Sequence, residues 1–146
     1  MTLRRESIVR EFRGLNSLTN KKGPGANEMT VVHPVQDGHA QRLRTVLRDT
    51  ALLQRSPISQ GVHFLHVAHI DGDSKLLFCA LFCGEFDEYL GRFAQEDPAF
   101  LDQVFGHCTG YPPRGAQDFR AFLLFLLSGL VRSDYLFASD PGRVTE

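Results

Sequence analysis

The stretch FGHCTGYPP, residues 105–113, places a histidine beside a cysteine between two glycines and closes with two prolines. An imidazole changes charge near neutral pH and binds iron, so His107 could serve in a cleft as a haem ligand or an acid–base group. The glycines and prolines also indicate a rigid turn. In that case His107 would hydrogen-bond the last carbonyl groups of the preceding helix. Cys108 follows no cation or helix start that would activate it, which favours a structural thiol.

A second group of histidines, His63, His66 and His69, lies in VHFLHVAHI. The alternation of a strand puts His66 on the face opposite the other two, and His63 and His69 would stand about 20 Å apart. This spacing excludes a metal ion held by all three unless the strand is bulged. Of the three, His63 is the candidate for lining a pocket, and a satisfied core or interface histidine is the alternative.

Aromatic side chains could complete a pocket for a small ligand, although the same residues would equally fill a hydrophobic core. The sequence contains no nucleophile–base pair, metal-ligand spacing or glycine-rich phosphate loop. It therefore assigns no catalytic residue and no metal site. The candidate ligand-binding residues are His63, Phe64, His107, Tyr111 and Tyr135.

Composition argues against some partners and compartments. The 146 residues fit one domain, and 16 basic against 17 acidic side chains give a net charge of −1, without the positive field that attracts nucleic acid or anionic membranes. The three cysteines are an odd number, and the run LLFCALFCG indicates buried reduced thiols and hence a cytoplasmic protein. The N-terminus lacks a signal-peptide core, and the longest apolar run, AFLLFLLSGLV, is about half a membrane helix.

The chain divides into an extension and a domain. Ile8, Phe12 and Leu15 recur at helical spacing and predict a short N-terminal helix. Residues 20–28 contain two glycines, a proline and two lysines, a composition that predicts a linker. We therefore expect a helical extension with its linker over residues 1–26 and a domain over residues 27–146.

Within the domain, apolar patterns predict strands in NEMTVVHPV, VHFLHVAHI and KLLFCALFC, the last two joined as an antiparallel hairpin by DGDS. Helical spacing predicts a helix with Asp37 as its N-cap. It predicts another through GEFDEYLGRF that continues or breaks at EDP and ends at Gly106, and a further helix in QDFRAFLLFLL. DYLFASD is predicted to be a last short strand. Apolar residues on both faces of KLLFCALFC indicate a central strand.

This order predicts an α+β fold of the ferredoxin-like βαββαβ type, with a four-stranded antiparallel sheet, an extra helix before the last strand and the N-terminal helical extension. The helices would cover one face of the sheet and leave the other open and apolar. Two such sheets packed face to face would cover it, which predicts a homodimer.

The element order, the hairpin GVHFLHVAHIDGDSKLLFCALFCGEFDEYL and the later GHCTGYPP and SDYLFASDPGRV resemble a bacterial ferredoxin-like group of the dimeric α/β-barrel superfamily, over about residues 27–144. That superfamily includes haem-dependent chlorite dismutases and dye-decolourising peroxidases, cofactor-free monooxygenases of small aromatic compounds, and small stress-response proteins. The resemblance implies the fold and a dimer, but it carries over no catalytic residue. The Gly-x-x-Asp-Gly signature of dye-decolourising peroxidases is absent from this sequence.

Two functions remain open at this stage. One is a small-molecule site inside a dimeric barrel, oxidative or haem-linked in one version, with His63 and His107 as its polar groups. The other is a non-enzymatic dimerisation or interaction module. The sequence does not decide whether the protein is an enzyme.

Overall fold

The computed structural model describes residues 20–23, 26–49, 61–82 and 84–131. The helix expected around residues 8–15 and the last strand expected at residues 134–140 lie outside them. The strands are β1 Asn20–Gly23, β2 Ala26–Pro34, β3 Val62–Ile70, β4 Lys75–Phe82 and β5 Leu130–Val131, and the helices are α1 Ala40–Leu47, α2 Phe86–Glu96, α3 Pro98–Phe105 and α4 Phe119–Ser128. The fold is α+β, as predicted. None of the described helices is long and apolar enough to cross a membrane.

The sheet is antiparallel throughout. Strand β4 lies between β2 and β3, so the prediction of a central strand is confirmed, as is the β3–β4 hairpin. The other edge of β2 is shared, since β1 pairs with residues 26–28 and β5 pairs with Thr30 and Val31. The four strands β5, β2, β4 and β3 therefore form one antiparallel sheet, to which β1 adds a short fifth strand.

Strands β1 and β5 both differ from expectation. Part of the stretch expected to be a linker pairs with β2 as β1, because a Gly- and Pro-containing sequence suits a turn between strands as well as a linker. The apolar run AFLLFLLSGLV contains parts of two elements: α4 ends at Ser128, and the last two residues of the run form β5, where no strand was predicted.

The two faces of the sheet differ in burial. One face, called here the inner face, packs against the helices, for example through the Phe78–Phe105 and Phe82–Tyr89 ring contacts. On β2 and β4 the inner face carries the buried Asn27, Met29, Val31, His33, Leu76, Phe78, Ala80 and Phe82. The opposite side, called here the outer face, carries Glu28, Thr30, Val32, Phe64, His66, Ala68, Ile70, Leu77, Cys79, Leu81 and Val131.

A bulge interrupts β3 near its start. Val62 pairs with Phe82 and Phe64 pairs with Leu81, so His63 is an extra residue in the strand. The alternation predicted for β3 put Val62 and Phe64 on one face. The bulge instead moves Val62 to the inner face, where it packs against the core, and leaves Phe64 on the outer face.

Two helix starts show what sets the boundaries. The break expected at EDP is real, since Asp97 caps α3 by accepting a hydrogen bond from the Phe100 amide at 3.1 Å, with Pro98 at the first helical position. Asp37 does not cap α1, because Gly38 turns the chain at a φ of +79° and the N-cap position falls on His39, which makes no side-chain cap.

Gly129 separates α4 from β5 where the chain passes very close to β2. A Cβ atom at this position would clash with the carbonyl oxygen of Val32 and lie 2.7 Å from Nε2 of His33. We expect Gly129→Ala to lower the free energy of unfolding by about 2 kcal/mol, because such overpacking displaces backbone.

Urea unfolding followed by circular dichroism would measure this effect, with Gln103→Ala, at an exposed position of α3, as the control. The control should stay within about 0.5 kcal/mol of the wild type. An alanine at position 129 that leaves the stability unchanged would contradict the close approach.

Candidate functional site

The turn that contains His107 is fixed to the end of β2 by backbone hydrogen bonds. The Thr109 amide donates to the Pro34 carbonyl oxygen at 2.8 Å, and the Gln36 amide donates to the His107 carbonyl oxygen at 2.9 Å. Val35 and Cys108 form an isolated antiparallel bridge between these two segments. The stretch FGHCTGYPP is therefore a turn held in place by backbone hydrogen bonds, and these bonds fix the position of His107.

His107 contacts a second histidine, His39, from the start of α1. Their Nδ1 atoms lie 3.2 Å apart, and the ring planes are tilted by 60° with centroids 5.4 Å apart. Both rings are half-buried. Burial lowers the pKa of His107, and the charges of His39 and Arg42 lower it further, so the imidazole is kept neutral. One ring then donates and the other accepts in a hydrogen bond between the two Nδ1 atoms.

Gln36 also ties the turn to the end of β2 through its side chain. Its side-chain amide donates to the carbonyl oxygens of Gly106, at 3.4 Å, and Cys108, at 3.2 Å. Both carbonyls lie beyond α3, which ends at Phe105. The side chain of His107 interacts with His39 through its Nδ1 atom.

Tyr111 and Asp102 lock the next part of the turn. The Tyr111 hydroxyl donates to Oδ1 of Asp102 at 2.5 Å, and the Ala116 amide donates to the same oxygen at 3.0 Å. The ring of Tyr111 meets Phe122 and Phe125 edge to face. Burial raises the pKa of Tyr111, and its hydrogen bond to Asp102 and the carboxylate charge raise it further. Tyr111 is thus a protonated structural phenol, and Asp102 is a residue that sequence reasoning missed.

Neither of the two described thiols is an activated nucleophile. Cys79 and Cys108 are both free. Burial raises the pKa of the fully buried Cys108 to about 12, in agreement with the structural thiol favoured by the sequence. Burial is also the largest cause that raises the pKa of Cys79, and the neighbouring Glu28 carboxylate adds to it. Both thiols are therefore protonated at neutral pH.

The outer face contains a polar group within largely apolar surroundings, called here the outer-face cluster: Glu28, Thr30, His66 and Cys79. The Thr30 hydroxyl donates to Oε1 of Glu28, and its oxygen lies 3.4 Å from Sγ of Cys79. Cys79 is the register partner of both Thr30 and His66, so these three side chains form one row across β2, β4 and β3. Glu28 is buried, whereas His66 is exposed. The cluster can donate and accept hydrogen bonds at this face.

His33 is a buried histidine that the sequence analysis did not single out. Its side chain is 2 % exposed and stacks on Phe125 with ring centroids 4.0 Å apart and an angle of 12° between the rings. The edge of a second ring, Phe105, packs at 6.0 Å. Burial lowers the pKa of His33 to about 4, so it is neutral at pH 7. The alternation of β2 places it on the inner face, which was the signal available in the sequence.

The five candidate residues do not meet at one point in the described structure. Phe64 lies on the outer face opposite Leu81, whereas His107 lies beyond the far end of the sheet, about 20 Å along β3. Tyr111 belongs to the turn and the helical layer. For His63 only the backbone is described, as the extra residue of the bulge, and Tyr135 lies outside the described residues. Of these candidates, the structure brings together only His107 and Tyr111, within one turn.

A haem at His107 would need an apolar, aromatic cavity around the imidazole. In the described residues, the ring of His107 contacts His39 and has Arg42 nearby, while Phe64 is at the other end of the sheet. These surroundings do not fit a haem pocket.

Comparisons with known proteins identified no relative: no family model, no curated protein and no solved structure matches this chain.

Proposed function

We propose that the protein is a homodimer in which two sheets pack through their outer faces and enclose a site for a small molecule. This is the arrangement of a dimeric α/β barrel, and within it the outer-face cluster supplies the polar contacts. The observation that carries the proposal is the apolar outer face, on which Phe64 and Val131 are 56 % and 44 % exposed.

Topology supports the barrel assignment. In sheet order the four strands run β5–β2–β4–β3. In a ferredoxin-like βαββαβ unit the first strand lies between the last and the third, and the second strand lies at the edge. Ring contacts place α2, α3 and α4 against the inner face, so the described helices that these contacts locate leave the outer face without a helical layer.

The size and composition of the outer face suit a second copy of the chain. Three strands of eight or nine residues and the short β5 offer roughly 450 Å² of flat surface, from about 3.3 Å per residue and about 4.8 Å between strands. A face-to-face pair thus covers about 900 Å² before the area of the protruding side chains is added, and a stable interface of about 1,200 Å² requires that addition. A two-fold pair also places each Phe64 in an apolar interface.

The outer-face cluster defines the class of ligand. Glu28, Thr30 and Cys79 lie among aliphatic side chains, and a second sheet packed on this face would exclude water from them. A small, mostly apolar molecule with one or two hydrogen-bonding groups matches such surroundings. With Cys79 protonated, the cluster binds and orients such a ligand without attacking it as a thiolate.

A charge at position 64 tests the dimer. We expect the wild-type protein to be a dimer and Phe64→Asp to weaken dimerisation about a hundredfold, since an unpaired carboxylate would be buried within the interface. Sedimentation equilibrium or light scattering after gel filtration measures this change.

Leu124→Asp is the matched control, because Leu124 is 51 % exposed but lies on α4. The control should remain a dimer, and circular dichroism should show that both variants are folded. The proposal would be overturned by a wild-type protein that is monomeric at about 100 μM. It would also be overturned by a Phe64→Asp variant that dimerises as the wild type does.

The second candidate, a non-enzymatic dimerisation module, is favoured by one observation: Tyr111, Cys79 and Cys108 are all held in their protonated forms. Both candidates require the dimer. The two candidates differ in whether the outer-face cluster binds a ligand. A thermal-shift screen of small aromatic and aliphatic acids, alcohols and amides would detect such binding.

A further inference from the structure

The contact between His39 and His107 has the geometry of a metal chelate. Zinc binds imidazole nitrogen at about 2.0–2.1 Å. With the two Nδ1 atoms 3.2 Å apart, an ion at that distance from both would make an N–metal–N angle of roughly 100–106°, close to the tetrahedral value. The distance between the two Nδ1 atoms therefore suits a chelate in which both rings turn their lone pairs toward the ion.

We propose that His39 and His107 bind a divalent transition-metal ion, Zn²⁺ above all, through their Nδ1 atoms. No group of three or more His, Cys, Asp and Glu side chains suited to a metal occurs among the residues that the structure describes. With two protein ligands from the described residues, water at the other coordination positions would make an open and exchangeable site. The ligand class is a borderline metal ion that prefers imidazole, rather than Mg²⁺ or Ca²⁺, which prefer oxygen.

The positions of the two histidines support this assignment. His107 lies in a turn whose backbone is hydrogen-bonded to the end of β2, so its position is fixed before the ion binds. His39 occupies the N-cap position of α1, but its side chain makes no capping hydrogen bond and is available to the metal. Both rings are half-exposed, so an ion can enter from solvent.

The charges around the pair set the strength of the site. A metal requires a lone pair on both Nδ1 atoms, so each ring carries its proton on Nε2 when the ion is bound. Arg42 weakens the site, because its positive charge near His107 disfavours a second cation. The site should therefore be weaker than its geometry alone would allow.

Isothermal titration of Zn²⁺ into the purified protein, with its thiols kept reduced, tests the proposal. We expect one site, and His39→Ala and His107→Ala should each weaken it about tenfold or more. Arg42→Gln should strengthen it severalfold, a change that a merely structural pair would not produce. His66→Ala removes a histidine from the outer face and should leave the affinity unchanged.

Circular dichroism establishes that each variant is folded before it is titrated. Equal Zn²⁺ affinity in the wild type and in both His39→Ala and His107→Ala would overturn the site, as would the absence of any binding. The test is independent of the dimer, because Phe64 lies at the other end of the sheet. Phe64→Asp should therefore keep the Zn²⁺ affinity of the wild type whether or not it dimerises.

Discussion

Replacing Asp102 with alanine should lower the free energy of unfolding by about 3–4 kcal/mol. The carboxylate accepts hydrogen bonds from the Tyr111 hydroxyl and the Ala116 amide, and the substitution leaves both donors without this partner in a partly buried place. Each orphaned donor costs about 1–3 kcal/mol. Chemical denaturation at pH 7 would measure the loss.

The backbone around Asp102 is shaped to accommodate its carboxylate. Gly115 has a φ of +67°, and a Cβ atom there would lie 3.0 Å from Oδ2 of Asp102 and still closer to Oδ1. A glycine is therefore needed for the chain to approach the carboxylate and donate from Ala116. Helix α3, the turn with Tyr111 and the segment that leads to α4 all meet at this side chain.

A double-mutant cycle separates the two hydrogen bonds of Asp102. Tyr111→Phe removes one donor but leaves the carboxylate bonded to Ala116, so it should cost only about 1 kcal/mol. In the double variant no phenol hydroxyl is left without a partner. Its loss of stability should therefore be smaller than the sum of the two single losses by about 1–2 kcal/mol.

Gln103→Ala, at the exposed position next to Asp102 in α3, is the control and should stay within about 0.5 kcal/mol of the wild type. The role given to Asp102 would be wrong if Asp102→Ala lost less than about 1 kcal/mol, or if the cycle were additive.

Patterns that extend over a few neighbouring residues predicted most of the elements. Alternation located β3 and β4, and the turn DGDS joined them, because both signals are local to the hairpin. The partners of β1 and β5 were not predictable in this way. They pair with adjacent stretches of one edge of β2, although more than a hundred positions separate them in the chain. The bulge at His63 also depends on pairing with β4, and it reversed the face assigned to Val62.

The candidate site follows the same division. The turn at residues 106–113 was recognisable from its glycines and prolines, but nothing in the sequence relates His107 to His39, which is 68 residues away. Asp102 was equally hidden, since an acidic residue near a helix end usually lies in solvent. Phe64 was identified as a candidate, but its place on the outer face connects it with Glu28, Thr30 and Cys79 rather than with His107.

The stability of the protein should fall steeply in mild acid because of His33. Its pKa of about 4 in the folded protein lies below the ordinary value of 6.5, so between these pH values the unfolded chain binds more protons than the folded one. The stabilising contribution is fully present above pH 6.5 and is lost as the pH falls toward 4. The shift corresponds to about 3 kcal/mol in total, of which about 2 kcal/mol is lost between pH 7 and pH 5.

The structure explains why this proton is excluded. A charged imidazole would be buried against Phe125 and Phe105, and its Nε2 atom has no hydrogen-bond partner in the described structure. His33→Leu removes both the titrating group and the unpaired nitrogen. We therefore expect this variant to be within about 1 kcal/mol of the wild type at pH 7.5. Between pH 7.5 and pH 5, the free energy of unfolding of this variant should rise by about 2 kcal/mol relative to that of the wild type.

Urea unfolding at several pH values from 7.5 to 5 measures this difference directly, because comparing the two proteins at each pH removes the contribution of their shared carboxylates. His66→Leu, which changes an exposed histidine on the outer face, retains His33 and should follow the pH dependence of the wild type. If His33→Leu and the wild type instead lose stability in parallel, His33 is protonated in the folded protein. Its stacking on Phe125 would then have to open in acid, and the inner face would not be the dry surface that these contacts describe.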